Sequence, residues 1–144
     1  MINRFIFIVA AITASFSATA APQWSALSGN NADDTFVDRS SYSSQGHLID
    51  VQLLRIFDEP VALGNDASTG AEVYPHRSVR LTYKVNCGTG TLAMSQWTMY
   101  DGSFGDGDVV WDVKVENELA FTRANDEEML AVMRSTCAST TASL

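Results

Sequence analysis

The chain has 144 residues, with 9 basic against 17 acidic side chains and a formal net charge of −8. That length holds one domain with a real core, and the 46% hydrophobic and 10% aromatic content is that of a folded globule rather than a disordered chain. The acidic balance excludes nucleic acid and anionic lipid as natural partners, because their phosphates are repelled.

Residues 1–20 read as a secretory signal peptide. Arg4 supplies the charge, Phe5 to Ile12 the apolar stretch, and Ala18-Thr19-Ala20 a small-x-small site for cleavage after Ala20. The apolar run falls short of the ~18 residues a membrane-spanning helix needs, so no membrane span is expected. No cysteine follows it that could carry a lipid. The expected organisation is a signal peptide (1–20), a single domain (21–138) and a flexible tail (139–144), exported to the periplasm or beyond.

Ser28 to Asn31 reads as a turn and Thr35 to Asp38 as a short strand. Ser40 to Gly46 reads as a second turn region. His47 to Phe57 has strong strand propensity and two partly apolar faces, with Arg55 intruding among Ile49, Val51, Leu53 and Phe57. Such a strand is either central, covered on both sides, or bulged near Leu53-Leu54. Pro60 is expected to end it, and Val61 to His76 to form a long exposed loop.

Ser78 to Cys87 alternates most cleanly. Val79, Leu81, Tyr83, Val85 and Cys87 share one face, and Arg80, Thr82, Lys84 and Asn86 the other. Gly88-Thr89-Gly90 reverses the chain and Thr91 to Tyr100 returns as a hairpin partner. After a glycine-rich connection from Asp101 to Asp108, Val109 to Glu116 alternates as another strand. Glu118 to Arg123 reads as a short strand or a linker. A helix is expected from an Asn125 N-cap, with Glu128 completing a capping box and acidic residues in the first turn facing the helix dipole. Its inner stripe is read as Met129, Leu130, Met133 and Cys137, opposite Glu127, Ala131 and Arg134.

Two cysteines in an exported chain pair. Cys87 lies on the apolar face of its strand and Cys137 on that of its helix, so a helix covering the sheet brings them together. Closing that loop stabilises the fold by roughly 4 kcal/mol in the chain-entropy model. A redox role is disfavoured, because there is no C-x-x-C and no basic neighbour to lower a thiol pKa. The expected fold is α+β: an antiparallel sheet with the C-terminal helix tied to one face by a Cys87–Cys137 disulfide.

Chemistry is sparse. His47 and His76 lack a second ligand at strand or helix spacing and read as surface histidines. The Asp101–Asp108 loop carries oxygen ligands without EF-hand spacing, so no metal is assigned to it. There is no G-x-S-x-G, P-loop or dinucleotide fingerprint. No catalytic residue, metal site or cofactor is expected, and the chain reads as a non-enzyme. The large side chains Trp97, Met99, Tyr100, Phe104 and Trp111 read mainly as core; any left exposed on the sheet would form a partner or dimer surface.

The order of several short motifs resembles the surface-adhesin protein E family of Gram-negative bacteria. They are Trp24-Ser25-Ala26-Leu27, Thr35-Phe36-Val37-Asp38-Arg39-Ser40-Ser41, the strand from Gly46 to Phe57, Ser78-Val79 with Tyr83 and Cys87, the turn Tyr100-Asp101-Gly102-Ser103-Phe104-Gly105, and Cys137. The resemblance covers about residues 22–138. It implies a curved sheet with the helix on its concave face, and a non-enzymatic binding module whose partner is a host matrix or envelope protein, with a homodimer formed through the sheet. It identifies no ligand-binding residue. The alternatives are a periplasmic inhibitor or chaperone-like subunit, or an enzyme accessory using the Asp101–Asp108 loop.

Overall fold

The structure, a computed structural model, describes residues 21–27, 34–69 and 72–141. The signal-peptide residues, the Ala20 cleavage site and the expected Ser28–Asn31 turn lie outside them. The main sheet runs in the order β1 (Trp24–Ala26), β2 (Thr35–Gln45), β3 (Leu48–Val61), β6 (His76–Asn86), β7 (Thr91–Tyr100) and β8 (Val109–Lys114), all antiparallel. Between β3 and β6 a small hairpin pairs β4 (Gly64–Asn65) with β5 (Glu72–Val73). β9 (Thr122–Arg123) pairs with the start of β7, and the helix α1 spans Glu127–Thr141.

Alternation decides what each face carries. The register Val37–Leu53–Leu81–Trp97–Val113 crosses five strands in one row, and Arg55–Val79–Met99–Trp111 forms the next. This is the helix face. Its core joins Val37, Val51, Leu53, Leu81, Val85 and Met99 to Ala131 and Val132 of the helix. The opposite, outer face is polar over much of its area. Leu54 also points there, yet it is fully buried, because the 3-10 turn Ser103–Gly105 packs against β3 and β6. So β3 is the central strand, covered on both sides, which accounts for its two partly apolar faces. The sheet is curved, and register shifts within β2, β3 and β7 supply bends.

Several local expectations are corrected. The Ser40–Gly46 turn is strand: β2 continues through a bulge after Asp38, and the reversal itself is Gly46–His47, with Gly46 at φ +65°. The Asp38 side chain holds the bulge by accepting from the N–H and Oγ of Ser40, at 2.9 and 2.6 Å. Ser41 Oγ accepts the Gln52 N–H at 3.0 Å, replacing a ladder bond that the bulge removes. Pro60 does not end β3. It falls where the register slips between Ile56 and Val61, a place where a missing N–H costs nothing.

The Val61–His76 segment is not an open loop. Besides the β4–β5 ladder, Leu63 N–H donates to Val73 O at 2.9 Å, and Asp66 closes the tip by accepting from both the N–H and hydroxyl groups of Ser68 and Thr69. His76 is therefore not a surface histidine. It opens β6 at 4% exposure, edge-on to Phe57 with ring centroids 5.6 Å apart, its Nδ1 2.8 Å from Tyr74 O.

The helix cap differs, and the stripe differs in part: Met129, Met133 and Cys137 pack against the core as expected, while Leu130 does not and Ala131 does. Asp126, not Asn125, is the N-cap: Met129 N–H donates to its Oδ1 at 2.8 Å. Glu128 is released from a capping box and reaches the sheet, where Arg55 donates to both carboxylate oxygens at 2.6 and 2.5 Å. That contact turns the Glu128–Val132–Thr136 line inward. Ala131, Val132 and Thr136 are buried, while Leu130 is 42% exposed. The helix is thus held at its start by the ion pair and further on by the Cys87–Cys137 disulfide, with Cα atoms 5.6 Å apart.

A candidate binding groove on the helix face

The helix covers only part of the apolar sheet face. Beyond Arg55 a groove of about 360 Å³ remains, floored by Val79, Leu81, Tyr83, Met94, Trp97 and Met99 and walled by Phe57, Val61–Leu63 and His76. Strand alternation places the floor, since these residues point to the helix side of β6 and β7. The wall comes from the slipped end of β3 and the chain leading into the small hairpin. Leu63 is 47% and Met94 37% exposed. The groove is therefore an apolar surface open to solvent.

Its polar groups are few. Arg55 is engaged by Glu128. Trp97 Nε1 is buried and has no hydrogen-bond partner among the described residues. The Tyr83 hydroxyl has its pKa pushed up, first by burial and then by the nearby Glu128 carboxylate, so it stays protonated as a donor. Such a site offers apolar contact and a few hydrogen bonds. It presents no nucleophile paired with a base.

The sequence-selected aromatic cluster divides between the faces. Trp97 and Met99 line the groove. Trp111 lies in the same face and packs under Tyr74, rings 4.4 Å apart. Tyr100 and Phe104 belong to the outer face. There Phe104 meets Phe36 at 5.6 Å, and the Arg80 guanidinium lies 5.3 Å from the Tyr100 ring and 6.0 Å from that of Trp24. The groove wall was missed from sequence because Val61 to His76 reads as exposed. The apolar run Val61-Ala62-Leu63 directly after Pro60 was the available signal.

The Asp101–Asp108 loop is a cap on the outer face. Ser78, fully buried, donates its hydroxyl to Gly102 O at 2.6 Å and accepts the Gly105 N–H at 2.9 Å. Asp101 Oδ1 accepts the Asp108 N–H at 2.8 Å. A Cβ at Gly107, where φ is +82°, would collide with that carboxylate. The glycines thus serve a tight turn, and the Asp101 carboxylate is turned into the loop. Among the described residues no three His, Cys, Asp or Glu side chains gather to hold a metal. His47 is exposed in the β2–β3 turn.

Among the described residues the architecture is an open antiparallel sheet with one disulfide-tied helix on one face. The chain belongs to the surface-adhesin protein E family, whose model matches residues 24–138. Crystal form II of Haemophilus influenzae protein E has a similar structure, with TM-score 0.58 and 14% identity over 85% of this chain and 98% of that one. Protein E from non-typeable Haemophilus influenzae is similar too, with TM-score 0.58 and 15% identity over 84% of this chain and 79% of that one. At this identity the likeness is one of fold. No curated protein matches the chain in sequence. Membership of a surface-adhesin family supports an exported protein, and among the described residues no helix is long and apolar enough to cross a membrane.

Proposed function

We propose that the protein is an exported binding module that takes apolar side chains of a partner protein into the groove beside its helix. The observation that carries this reading is the groove itself: an apolar patch bounded by the β3 end and Val61–Leu63, next to a helix pinned at two points. A rigid frame around an exposed apolar floor, with tryptophan and tyrosine in it, has the composition of a protein-binding hot spot. The partner is a host matrix or envelope protein. The chain's excess of acid favours one with a basic rim around its apolar anchor.

In this reading residues 1–20 direct export and are removed after Ala20, leaving one domain over 21–138, followed by the short segment 139–144, in the periplasm or outside the cell. The disulfide agrees with an oxidising compartment. The enzyme-accessory alternative has less support, since in the Asp101–Asp108 loop the Asp101 carboxylate and the backbone of Gly102 and Gly105 serve the turn itself.

The test is capture of partners from an envelope extract and from a panel of matrix proteins, with wild type and Met94→Glu side by side. A charge on the groove floor should reduce capture about tenfold or more. Equal capture by both proteins would remove the groove as the site. Capture of envelope proteins alone would remove host adhesion.

A further inference from the structure

The chain has only two lysines, Lys84 and Lys114. Both line one trough of about 340 Å³ on the outer face of the sheet, opposite the groove. Strand register builds its floor. Gln52, Thr82, Gln96 and Lys114 stand in one row across β3, β6, β7 and β8. Asp50 and Lys84 form a parallel pair two positions along β3 and β6. Alternation turns all six outward, because their neighbours Val51, Leu81, Trp97 and Val113 face the helix side. Val115 and Leu119 close the trough on the β8 side.

Much of this polar surface is unengaged. Lys114 is exposed and has no ion pair among the described residues. Gln52 and Thr82 enter the described hydrogen bonds only through their backbones. Gln96 Nε2 donates to Asp112 Oδ1 at 3.1 Å, which fixes the amide and leaves its Oε1 to accept. Lys84 donates to Asp50 at 2.7 Å, and an ammonium group has further donors beyond that one.

We infer that this trough binds an acidic glycan, through two neighbouring sugar rings that each carry a carboxylate or a sulfate. The inference is independent of what the groove takes, since the two sites lie on opposite faces. The lysines supply the charge that recognises the anions. Side-chain amides and hydroxyls both donate and accept, as sugar hydroxyls do. Val115 and Leu119 offer an apolar wall to the C–H face of a ring. Spacing fits as well. The row advances about 4.8 Å per strand, a step that one pyranose ring bridges. Sheet geometry sets the Cα atoms of Lys84 and Lys114 about 12 Å apart, so their long side chains reach anions on adjacent rings.

The acidic groups nearby narrow the choice. Asp50 lies in the trough, Asp112 at its rim, and Glu116 and Glu118 follow β8. They repel any anion that is not seated on a lysine. Spaced anions among neutral hydroxyls are therefore favoured over the dense phosphates of a nucleic acid. An acidic peptide fits less well, because the floor strands commit their backbones to the ladder and leave none to pair with an incoming main chain.

Backbone-amide NMR during titration with a chondroitin sulfate disaccharide, which carries one carboxylate and one sulfate on adjacent rings, tests this. Shifts should concentrate at Gln52, Thr82, Gln96 and Lys114. Lys114→Gln, at an exposed position, should weaken binding about tenfold. Asp50→Asn should tighten it, because Lys84 is released and a repelling charge is gone; a purely structural ion pair predicts the reverse. Lactose, the neutral control, should bind at least about tenfold more weakly. No shifts in the trough at millimolar disaccharide would overturn the inference, as would equal binding by Lys114→Gln or weaker binding by Asp50→Asn. Inorganic sulfate producing the same shifts at the same concentration would also overturn it, by showing that the trough reads charge alone.

Discussion

Asp38 is 4% exposed within a strand, and its carboxylate explains both its burial and the shape of β2. Oδ1 accepts from the N–H and hydroxyl of Ser40 and, at 2.8 Å, from Gln23 N–H in the chain leading to β1. Removing it takes away three hydrogen bonds to the charged carboxylate and frees the bulge. Asp38→Ala should cost about 2–3 kcal/mol, read as a lower urea midpoint with the slope unchanged. An unaltered midpoint would show that the bulge holds without it. Arg55, the charged intruder on an apolar strand face, has a comparable logic: its partner, Glu128, arrives from the helix. Both side chains are partly exposed, so the pair is worth about 1 kcal/mol or less, and its larger effect is to set which way the helix faces. Tyr83 carries a pH signature. Burial and Glu128 raise its pKa in the folded state, so the folded protein holds that proton more tightly than the unfolded chain does. The resulting stability is fully present below the unfolded value of about 10 and is lost as pH rises through the higher folded value. Tyrosinate absorbance should show one late-titrating tyrosine, and Tyr83→Phe should remove it and flatten the alkaline fall in stability. A titration with no late tyrosine would contradict the burial.

At the scale of elements, the helix shows which of its features are local and which are imposed. Its acidic first turn and N-terminal cap are local, and only the choice of Asp126 over Asn125 shifts them by one residue. Its buried stripe is imposed. Leu130 is the more hydrophobic residue, yet Ala131 is inside, because two attachments fix the rotation and a small residue permits close approach to the sheet. The mean hydrophobic signal of this helix is weak because threonine and serine share its inner region, so periodicity alone could not choose the face. The disulfide closes a separation of 50 residues. Cys137→Ala together with Cys87→Ala should cost roughly 2–4 kcal/mol in thermal unfolding. An unchanged melting temperature would mean that the ion pair and the Ala131–Val132 packing suffice to hold the helix. The Asp101–Asp108 loop makes the opposite point. Its composition invites a cation, but the buried Ser78 hydroxyl and the crossed approach of Gly102 and Gly107 turn it into a lid over Leu54.

For the whole molecule, the two sheet faces have different tasks. The outer face is sealed by the lid and its aromatic neighbours and is polar elsewhere. The helix face is half core and half groove. The antiparallel α+β architecture, the strand–helix disulfide and the family were legible in the chain, because period-two alternation, a capped helix and two cysteines are each written in consecutive residues. Trp97 and Met99 were visible as large side chains around one hairpin, though not as groove floor. The groove was not legible, because its wall comes from β3 slipping past Pro60 and carrying Val61–Leu63 beside β6, a pairing settled by residues apart in sequence. The same holds for His76, whose burial depends on Phe57 from the neighbouring strand. Nor could the sequence show that β8 would be left at an edge, since strand order is a property of the assembled sheet. What the sequence determined by itself was which residues alternate, where the helix begins to within a residue, and that the two cysteines meet. Tertiary structure alone decided how much apolar face the short helix leaves uncovered. The reason is physical: a local pattern sets a residue's direction, but only the packing of distant elements determines whether anything stands in front of it.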